Sequence, residues 1–258
     1  MVISNPLVPF SQREAIEKYY DQFSAAYDQK RRPFMPEGYH AFLDDREIDL
    51  IRRYGEGKEI LECGCGTGLL LEKIRLFAKQ ARGLDISSGM LRKAEERGLS
   101  VSKGSITAIP FKDESFDLTC SFKTLPHVPE IGRALAEMAR VTRSGGVVLA
   151  EFYNLMSLRT LLKKVGPARS VAHMTRENGV YTRFDGPWRI FRFLPPTLHL
   201  EAFHGIRILA PVAGAFRIPG VKTLLEWGER TLADTKASLL GGFLVAILRK
   251  KSDSLYNR

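Results

Sequence analysis

Cysteine is scarce in this chain: there are three in 258 residues, two of them crowded into Cys63-Gly64-Cys65. That number and spacing exclude a disulfide framework and a four-ligand zinc site, so reduced thiols are expected. Long apolar runs are missing too, since no window holds the roughly 18 consecutive apolar residues needed to cross a bilayer. Met1 to Phe10 lacks the cationic start and apolar core of a secretion signal, and a cytoplasmic location is expected. His173, His199 and His204 have no metal-ligand spacing, so no metal is expected. Internal repeats and low-complexity tracts are absent as well. What remains, 44% hydrophobic and 26% charged with 22 Gly and 13 Pro, is the composition of an ordinary globular domain.

Acidic residues thin out only towards the C-terminus. Residues 1–150 carry 22 basic and 21 acidic side chains, whereas residues 151–258 carry 17 and 8, so nearly all of the net charge of +10 belongs to the second part. Nucleic acid, an anionic membrane surface or a phosphate-bearing substrate each fits such a field, and so does a merely soluble basic surface.

The first 55 residues read as two or three helices, with Tyr19, Tyr20, Phe23 and Tyr27 and then Phe42, Ile48, Leu50 and Ile51 at helical spacings ahead of Gly55-Glu56-Gly57. From Lys58 short apolar runs alternate with amphipathic stretches, the pattern of strand-helix units in a sheet covered on both faces. Strands are expected at residues 59–63, 81–86, 116–122 and 147–152, and helices at 68–79, 88–97 and 130–142, the last stopped by Ser144-Gly145-Gly146. After Phe152 the alternation lapses through Pro167, Gly186-Pro187-Trp188 and Pro195-Pro196, which reads as an insertion over the rim of the sheet. Strands at 206–209 and 243–248, joined by a helix at 221–232, would close one edge. The chain is thus expected to be one domain: a helical lid over 1–55, a core over 56–153, a basic cap over 154–202 and edge strands over 203–258.

The strand at 59–63 runs directly into Glu62-Cys63-Gly64-Cys65-Gly66-Thr67-Gly68, placing glycines at the carboxyl end of a strand, where open α/β sheets bind ligands. Two familiar nucleotide sites fit poorly. The dinucleotide fingerprint asks for glycine where Leu69 stands, and the phosphate loop asks for a lysine after Gly68. Asp85 closes the next strand and can accept both hydroxyls of a ribose, while Glu62 can face a cationic amino group. A ribose and a zwitterionic amino-acid tail without a pyrophosphate describe S-adenosylmethionine, with S-adenosylhomocysteine as its product.

With these segments in view the sequence resembles the class I S-adenosylmethionine-dependent methyltransferases, in particular the small-molecule branch of ubiquinone/menaquinone-type enzymes. Tyr19-Tyr20-Asp21-Gln22-Phe23-Ser24-Ala25-Ala26-Tyr27-Asp28 is similar to that branch's lid helix. Ile109-Pro110-Phe111 with Ser115-Phe116-Asp117 resembles the approach to its fourth strand, Leu125-Pro126-His127-Val128 the segment after it, and Arg140-Val141 with Gly145-Gly146 the entry to its fifth strand. The resemblance implies a three-layer α/β fold with a mostly parallel seven-stranded sheet and a reversed edge strand. It implies that Glu62, Gly64, Cys65 and Gly66 hold the methionine part, that Asp85 takes the ribose, and that Ile86 and Met90 flank the nucleoside. Ser105 and Ile106 stand where such families often have an acid for the adenine amine, a departure from the pattern, and Phe122 would lie near the methyl donor.

Methyl transfer from a sulfonium is an in-line displacement that needs positioning and exclusion of water more than a protein nucleophile. A base helps when the acceptor is a hydroxyl or an acidic carbon; His127 is the candidate, against a structural histidine bonding a loop backbone. Glu151, Tyr153 and Asn154 leave the fifth strand at the same rim, with Tyr153 as a second candidate beside the reaction. The amine-polarising Asp/Asn-Pro-Pro-aromatic motif of nucleic-acid enzymes is absent, since the chain reads Ser121-Phe122-Lys123-Thr124, and Cys120 follows Thr119 inside a buried strand. Arg183, Trp188, Arg189, Phe191, Arg192 and Phe193, with Lys163, Lys164 and Arg169 upstream, interleave aromatics and cations as at a lipid interface, or seal the insertion while the cations are solvated. The expected activity is O- or C-methylation of a small-molecule or lipid-like acceptor, anionic if it explains the basic half, with peripheral contact to the inner face of a membrane. The alternatives are an RNA methyltransferase and a catalytically silent cofactor-binding module.

Overall fold

A computed structural model of the chain describes residues 10–31, 39–158, 160, 181–209 and 220–252. Two helices come first, α1 (Phe10–Arg31) and α2 (Tyr39–Gly55). The alternating region then gives β1 (Glu59–Cys63), α3 (Leu69–Ile74), β2 (Gln80–Asp85), α4 (Ser88–Glu96), β3 (Val101–Lys103), β4 (Phe116–Ser121), α5 (Ile131–Val141) and β5 (Thr142–Tyr153). A short turn of helix α6 (Pro187–Ile190), β6 (Leu198–Ile206), α7 (Val221–Leu232) and β7 (Phe243–Lys250) complete it.

One seven-stranded sheet has the order β3-β2-β1-β4-β5-β7-β6. β1 to β5 pair in parallel, and β7 runs antiparallel to both β5 and β6. The mostly parallel methyltransferase-type sheet is as expected, with its reversed strand, β7, one place in from the outermost strand. Strand order turns back on itself between β1 and β4, which opens a crevice at their carboxyl ends.

Burial explains the layers. The central strands are covered on both faces, so Val147 to Ala150 of β5 read as a continuous apolar run, and in β1 Ile60, Leu61 and Cys63 are all buried, interrupted only by Glu62. On one face α5 lays down Ile131, Ala134, Leu135, Met138 and Ala139 at helical spacing. On the other, Phe42, Leu50 and Ile51 of α2 meet Leu70 and Ile74 of α3.

Several boundaries differ from the sequence expectation for local reasons. α3 ends at Ile74 instead of running to Lys79, because the chain tightens there: Leu76 N–H donates to Lys73 O at 3.2 Å and Phe77 N–H to Ile74 O at 3.2 Å. Ser144-Gly145-Gly146 is an irregular part of β5 rather than the stop of a helix, and the β4–β5 register jumps between Phe116↔Thr142 and Leu118↔Val147. Glycine is required at 146, where a Cβ would lie 2.7 Å from Asp117 O. β6 starts at Leu198 rather than Ile206, since His199 and Glu201 are exposed and the alternation is that of an edge strand. β3, only three residues long, adds a strand beyond those expected from the apolar runs. Among the described residues no helix is long and apolar enough to cross a membrane, and no group of His, Cys, Asp and Glu could hold a metal ion.

Candidate functional site

A cavity of about 250 Å³ opens at the carboxyl ends of β1, β2 and β4, beneath α1. Its floor is the glycine-rich turn after β1, where Gly64, Gly66 and Gly68 all have positive φ (79°, 55° and 83°). The N–H groups of Gly64 and Cys65 both donate to Leu84 O, at 2.6 and 3.0 Å, which straps the turn to β2. A Cβ at Gly64 would fall 2.1 Å from Thr124 Oγ1, whereas one at Gly66 would meet nothing within 4 Å. Gly66 therefore leaves backbone open to a ligand.

Two carboxylates stand where the sequence placed them. Asp85 accepts the Gly66 N–H (2.8 Å) on one oxygen and the Ser87 N–H (2.9 Å) on the other, which leaves lone pairs for two hydroxyls. Burial raises its carboxyl above the ordinary value and those N–H donors pull it back. Glu62 is 4% exposed, lines the cavity, and its Oε2 has no hydrogen-bond partner among the described residues. Burial, with the Glu47 carboxylate beside it, pushes the Glu62 carboxyl well above its usual range. This donor set fits S-adenosylmethionine: an orphan buried carboxylate for an ammonium, an acid at the ribose position, and glycine backbone between them.

α1 covers the opening with Tyr19, Tyr20, Phe23 and Tyr27. Its polar face ties it down. Asp21 accepts from Ser87 Oγ (2.6 Å) and Gly89 N–H (2.8 Å), and Asp28 accepts from Thr67 Oγ1 (2.7 Å) and Arg97 (2.6 Å). The spacing of seven residues puts both acids on one side of the helix, one at the start of α4 and one on the glycine turn.

On the opposite wall lie Phe122, His127 and Tyr153. The His127 ring makes edge contacts with Tyr20 (6.4 Å) and Tyr153 (5.8 Å), and its Nδ1 lies 3.0 Å from Tyr181 O and 3.1 Å from Thr182 Oγ1. Asn154 is a structural residue: its amide donates to Leu239 O and Gly241 O, both at 2.8 Å. Cys120 is fully buried in β4, as core packing requires.

Of the residues singled out from the sequence, Glu62, Gly64, Cys65, Gly66, Asp85, Met90, Phe122, His127 and Tyr153 all line this cavity, and Ile86, Ser105 and Ile106 do not. Ser105 Oγ turns onto Thr107 (2.8 Å) within its own loop, Ile106 packs in the core, and Ile86 follows β2 half-buried. Lys163, Lys164, Arg169 and His173 lie outside the described residues. Sequence reading missed Glu47, Thr67, Lys123 and Thr124. Lys123 carries the one signal in the backbone, a positive φ of 56° in a non-glycine residue at the end of a strand.

Residues 61–150 match the methyltransferase-domain family. The chain is 31% identical over 159 residues to a ubiquinone biosynthesis O-methyltransferase of Burkholderia orbicola, covering 58% of this chain and 68% of that protein. The chain belongs to the class I S-adenosylmethionine-dependent methyltransferases. A second relative, malonyl-[acyl-carrier protein] O-methyltransferase of Yersinia pestis, is 37% identical over 95 residues, and the match spans only 36% of either chain. The methyltransferase also superposes on an S-adenosylmethionine-dependent methyltransferase from Thermotoga maritima with a TM-score of 0.63, at 20% identity, over 89% of this chain and 98% of the other.

Proposed function

We propose that this methyltransferase modifies a small-molecule or lipid-like acceptor, at oxygen or carbon, in the aromatic-walled part of the cavity, with His127 as the base. The observation that carries the proposal is the hydrogen bonding of His127. A backbone carbonyl only accepts, so the contact with Tyr181 O puts the ring proton on Nδ1 and leaves Nε2 as the basic atom of a ring that lines the cavity. Thr182 Oγ1 lies 3.1 Å from the same nitrogen and can share that proton as an acceptor.

S-adenosylmethionine, when bound, supplies a methyl group on a sulfonium. Glu62 and the glycine turn, open at Gly66, would hold its amino-acid tail, Asp85 its ribose and Met90 its nucleoside, with Phe122 near the donor. Tyr20, Tyr153 and Phe122 exclude water and shape the acceptor space, so that positioning supplies much of the rate. His127 Nε2 removes the proton of a hydroxyl or acidic carbon as the methyl arrives. The two relatives named above are O-methyltransferases, which supports an oxygen acceptor.

A lipid-like acceptor is supported by the surface beside the cavity. Phe184 packs 5.7 Å from Tyr153, and Trp188 and Phe191, more than half exposed, stand with Arg189 and Arg192 on the same stretch of chain. Aromatics and arginines so interleaved suit the boundary between headgroups and acyl chains.

The test incubates the protein with methyl-labelled S-adenosylmethionine and cell extract, with Asp85→Ala as control, and partitions the label. Label in the organic or small aqueous fraction, lost in the variant, is expected. Label in RNA or DNA would overturn the acceptor class, and binding without any transfer would point to the silent module.

A further inference from the structure

The inner end of the cavity holds more carboxylate than the ligand reading above requires. Beside Glu62 on β1, α2 brings Glu47, fully buried, into the lining, with Asp44 one turn before it. Asp85 closes β2, and Glu151 of β5 accepts the Lys123 N–H at 2.9 Å. The cation among them is Lys123, whose Nζ lies 2.7 Å from Glu47 and 3.1 Å from Asp44. Its ammonium is thus engaged by α2, and no hydrogen bond reaches Glu62 Oε2. Among the described residues that line the cavity there is no other lysine or arginine. Burial pushes the thiols of Cys63, Cys65 and Cys120 up, so they add no charge, and Tyr19, Tyr20, Tyr27 and His127 complete the polar lining.

An ionised carboxylate buried without a partner is costlier than one that takes up a proton. At Asp85 two N–H groups offset part of this cost, although its carboxyl still lies above the ordinary value. Glu62 has no such donor on Oε2 among the described residues; burial and the Glu47 carboxylate push its carboxyl up, and the Lys123 ammonium, engaged by Glu47 and Asp44, offsets this only in part.

We propose that Glu47 is a positioning residue of the cofactor site: held ionised by Lys123, it makes Glu62 carry a proton in the cofactor-free protein, so that cofactor binding expels that proton. The inference rests on the reading that Glu62 meets the cofactor's amino group. The step balances simply. A Glu62 carboxylic acid and an incoming ammonium become a carboxylate-ammonium pair, one proton passes to solvent, and no electrons move. Affinity therefore rises about tenfold per pH unit below the cofactor-free titration point of Glu62 and levels off above it. Loss of the ligand's own amino proton, near pH ~8, sets the upper limit of the useful range.

The experiment is calorimetric titration of the full chain with S-adenosylhomocysteine in two buffers of different ionisation enthalpy at pH 6.5, with affinities measured from pH 5.5 to 7.5. A second ligand, 5′-methylthioadenosine, keeps the nucleoside and sulfur and lacks the amino-acid tail. Wild type is expected to release close to one proton with the first ligand and none with the second, and Glu47→Gln to release far less. No release together with a flat pH profile would overturn the proposal, as would release unchanged in Glu47→Gln. If Glu62→Gln binds the tailed ligand as wild type does, it is the Glu62 reading that fails, whatever the proton count. Should Glu47→Gln not fold, Lys123→Met serves. Without its cation the cluster holds the proton more tightly, so affinity should level off at a higher pH, and an unchanged profile overturns the proposal.

Discussion

Replacing Gly64 by alanine tests how the glycine turn and the end of β4 are fitted together. The substitution carries two costs. At φ +79° an alanine pays about 1–2 kcal/mol for a left-handed backbone. The new methyl also lands 2.1 Å from Thr124 Oγ1, 2.4 Å from Cγ2 and 2.7 Å from Cβ. Rotation of Thr124 moves only the first two, and breaks its hydrogen bonds to Gly64 O (3.3 Å) and Phe122 O (3.1 Å), so the backbone must shift, at about 1–3 kcal/mol for overpacking. Gly66→Ala is the internal control, with φ +55° and nothing within 4 Å of the new atom, so it carries the backbone cost alone. In urea unfolding followed by circular dichroism, Gly64→Ala should lose about 1–3 kcal/mol more than Gly66→Ala. Ligand binding should separate them differently: Gly66→Ala, mild in stability, should still weaken S-adenosylhomocysteine by at least about tenfold, because its methyl stands on the open backbone a ligand approaches. Equal stabilities within about 0.5 kcal/mol would refute the packing argument, since neighbours that relax freely cost nothing.

Asp85→Ala should leave the Gly66 and Ser87 N–H groups without their acceptor, at about 1–3 kcal/mol each, so both the melting temperature and S-adenosylhomocysteine affinity should fall, by melting and calorimetry. Asp21 titrates below its ordinary value because the Ser87 hydroxyl and the Gly89 N–H bond its carboxylate. Its folded-state pKa lies below the unfolded one, so its contribution is present above the ordinary value near ~3.9 and is lost as the pH falls through the lowered one. Melting curves from pH 6 downward should therefore show wild type and Asp21→Asn converging in acid. Trp188→Ser with Phe191→Ser, both residues more than half exposed, should leave stability within about 0.5 kcal/mol while reducing label in the organic fraction.

The sheet was legible where burial on both faces writes itself as apolar runs, as in β1 and β5, and where Glu62 to Gly68 breaks the run with glycine. It was less legible at the margins. β3 has three residues and no run to read, and β6 is an edge strand whose half-exposed alternation is cut short against Pro195-Pro196. In the site, Asp85 could be found because a strand end is a local feature. Glu47 and Lys123 could not, because they are 76 residues apart and meet only when α2 docks against the end of β4. In sequence Glu47 is one more charge on an amphipathic helix, and only folding shows that it is fully buried.

The family match and much of the proposed acceptor space fall on different parts of this chain. The matched span, 61–150, contains the glycine turn, Asp85 and Phe122, proposed above to meet the methyl donor, and His127, proposed as the base. Much of what closes the cavity lies outside it: Tyr19, Tyr20, Phe23 and Tyr27 come from α1, Glu47 from α2, Tyr153 from the last residue of β5, and the carbonyl that orients His127 from Tyr181. These outer segments meet the matched span through polar contacts, the Asp21 and Asp28 bonds and the Lys123 pair among them, and α2 also through its apolar face on α3 and the sheet. On the proposed reading, substitutions in the cavity-facing residues of these segments would alter the shape of the acceptor space while β1, β2 and β4 stay in register. Relatives sharing only the central span can thus share a donor and differ in acceptor, because function belongs to the site and not to the fold.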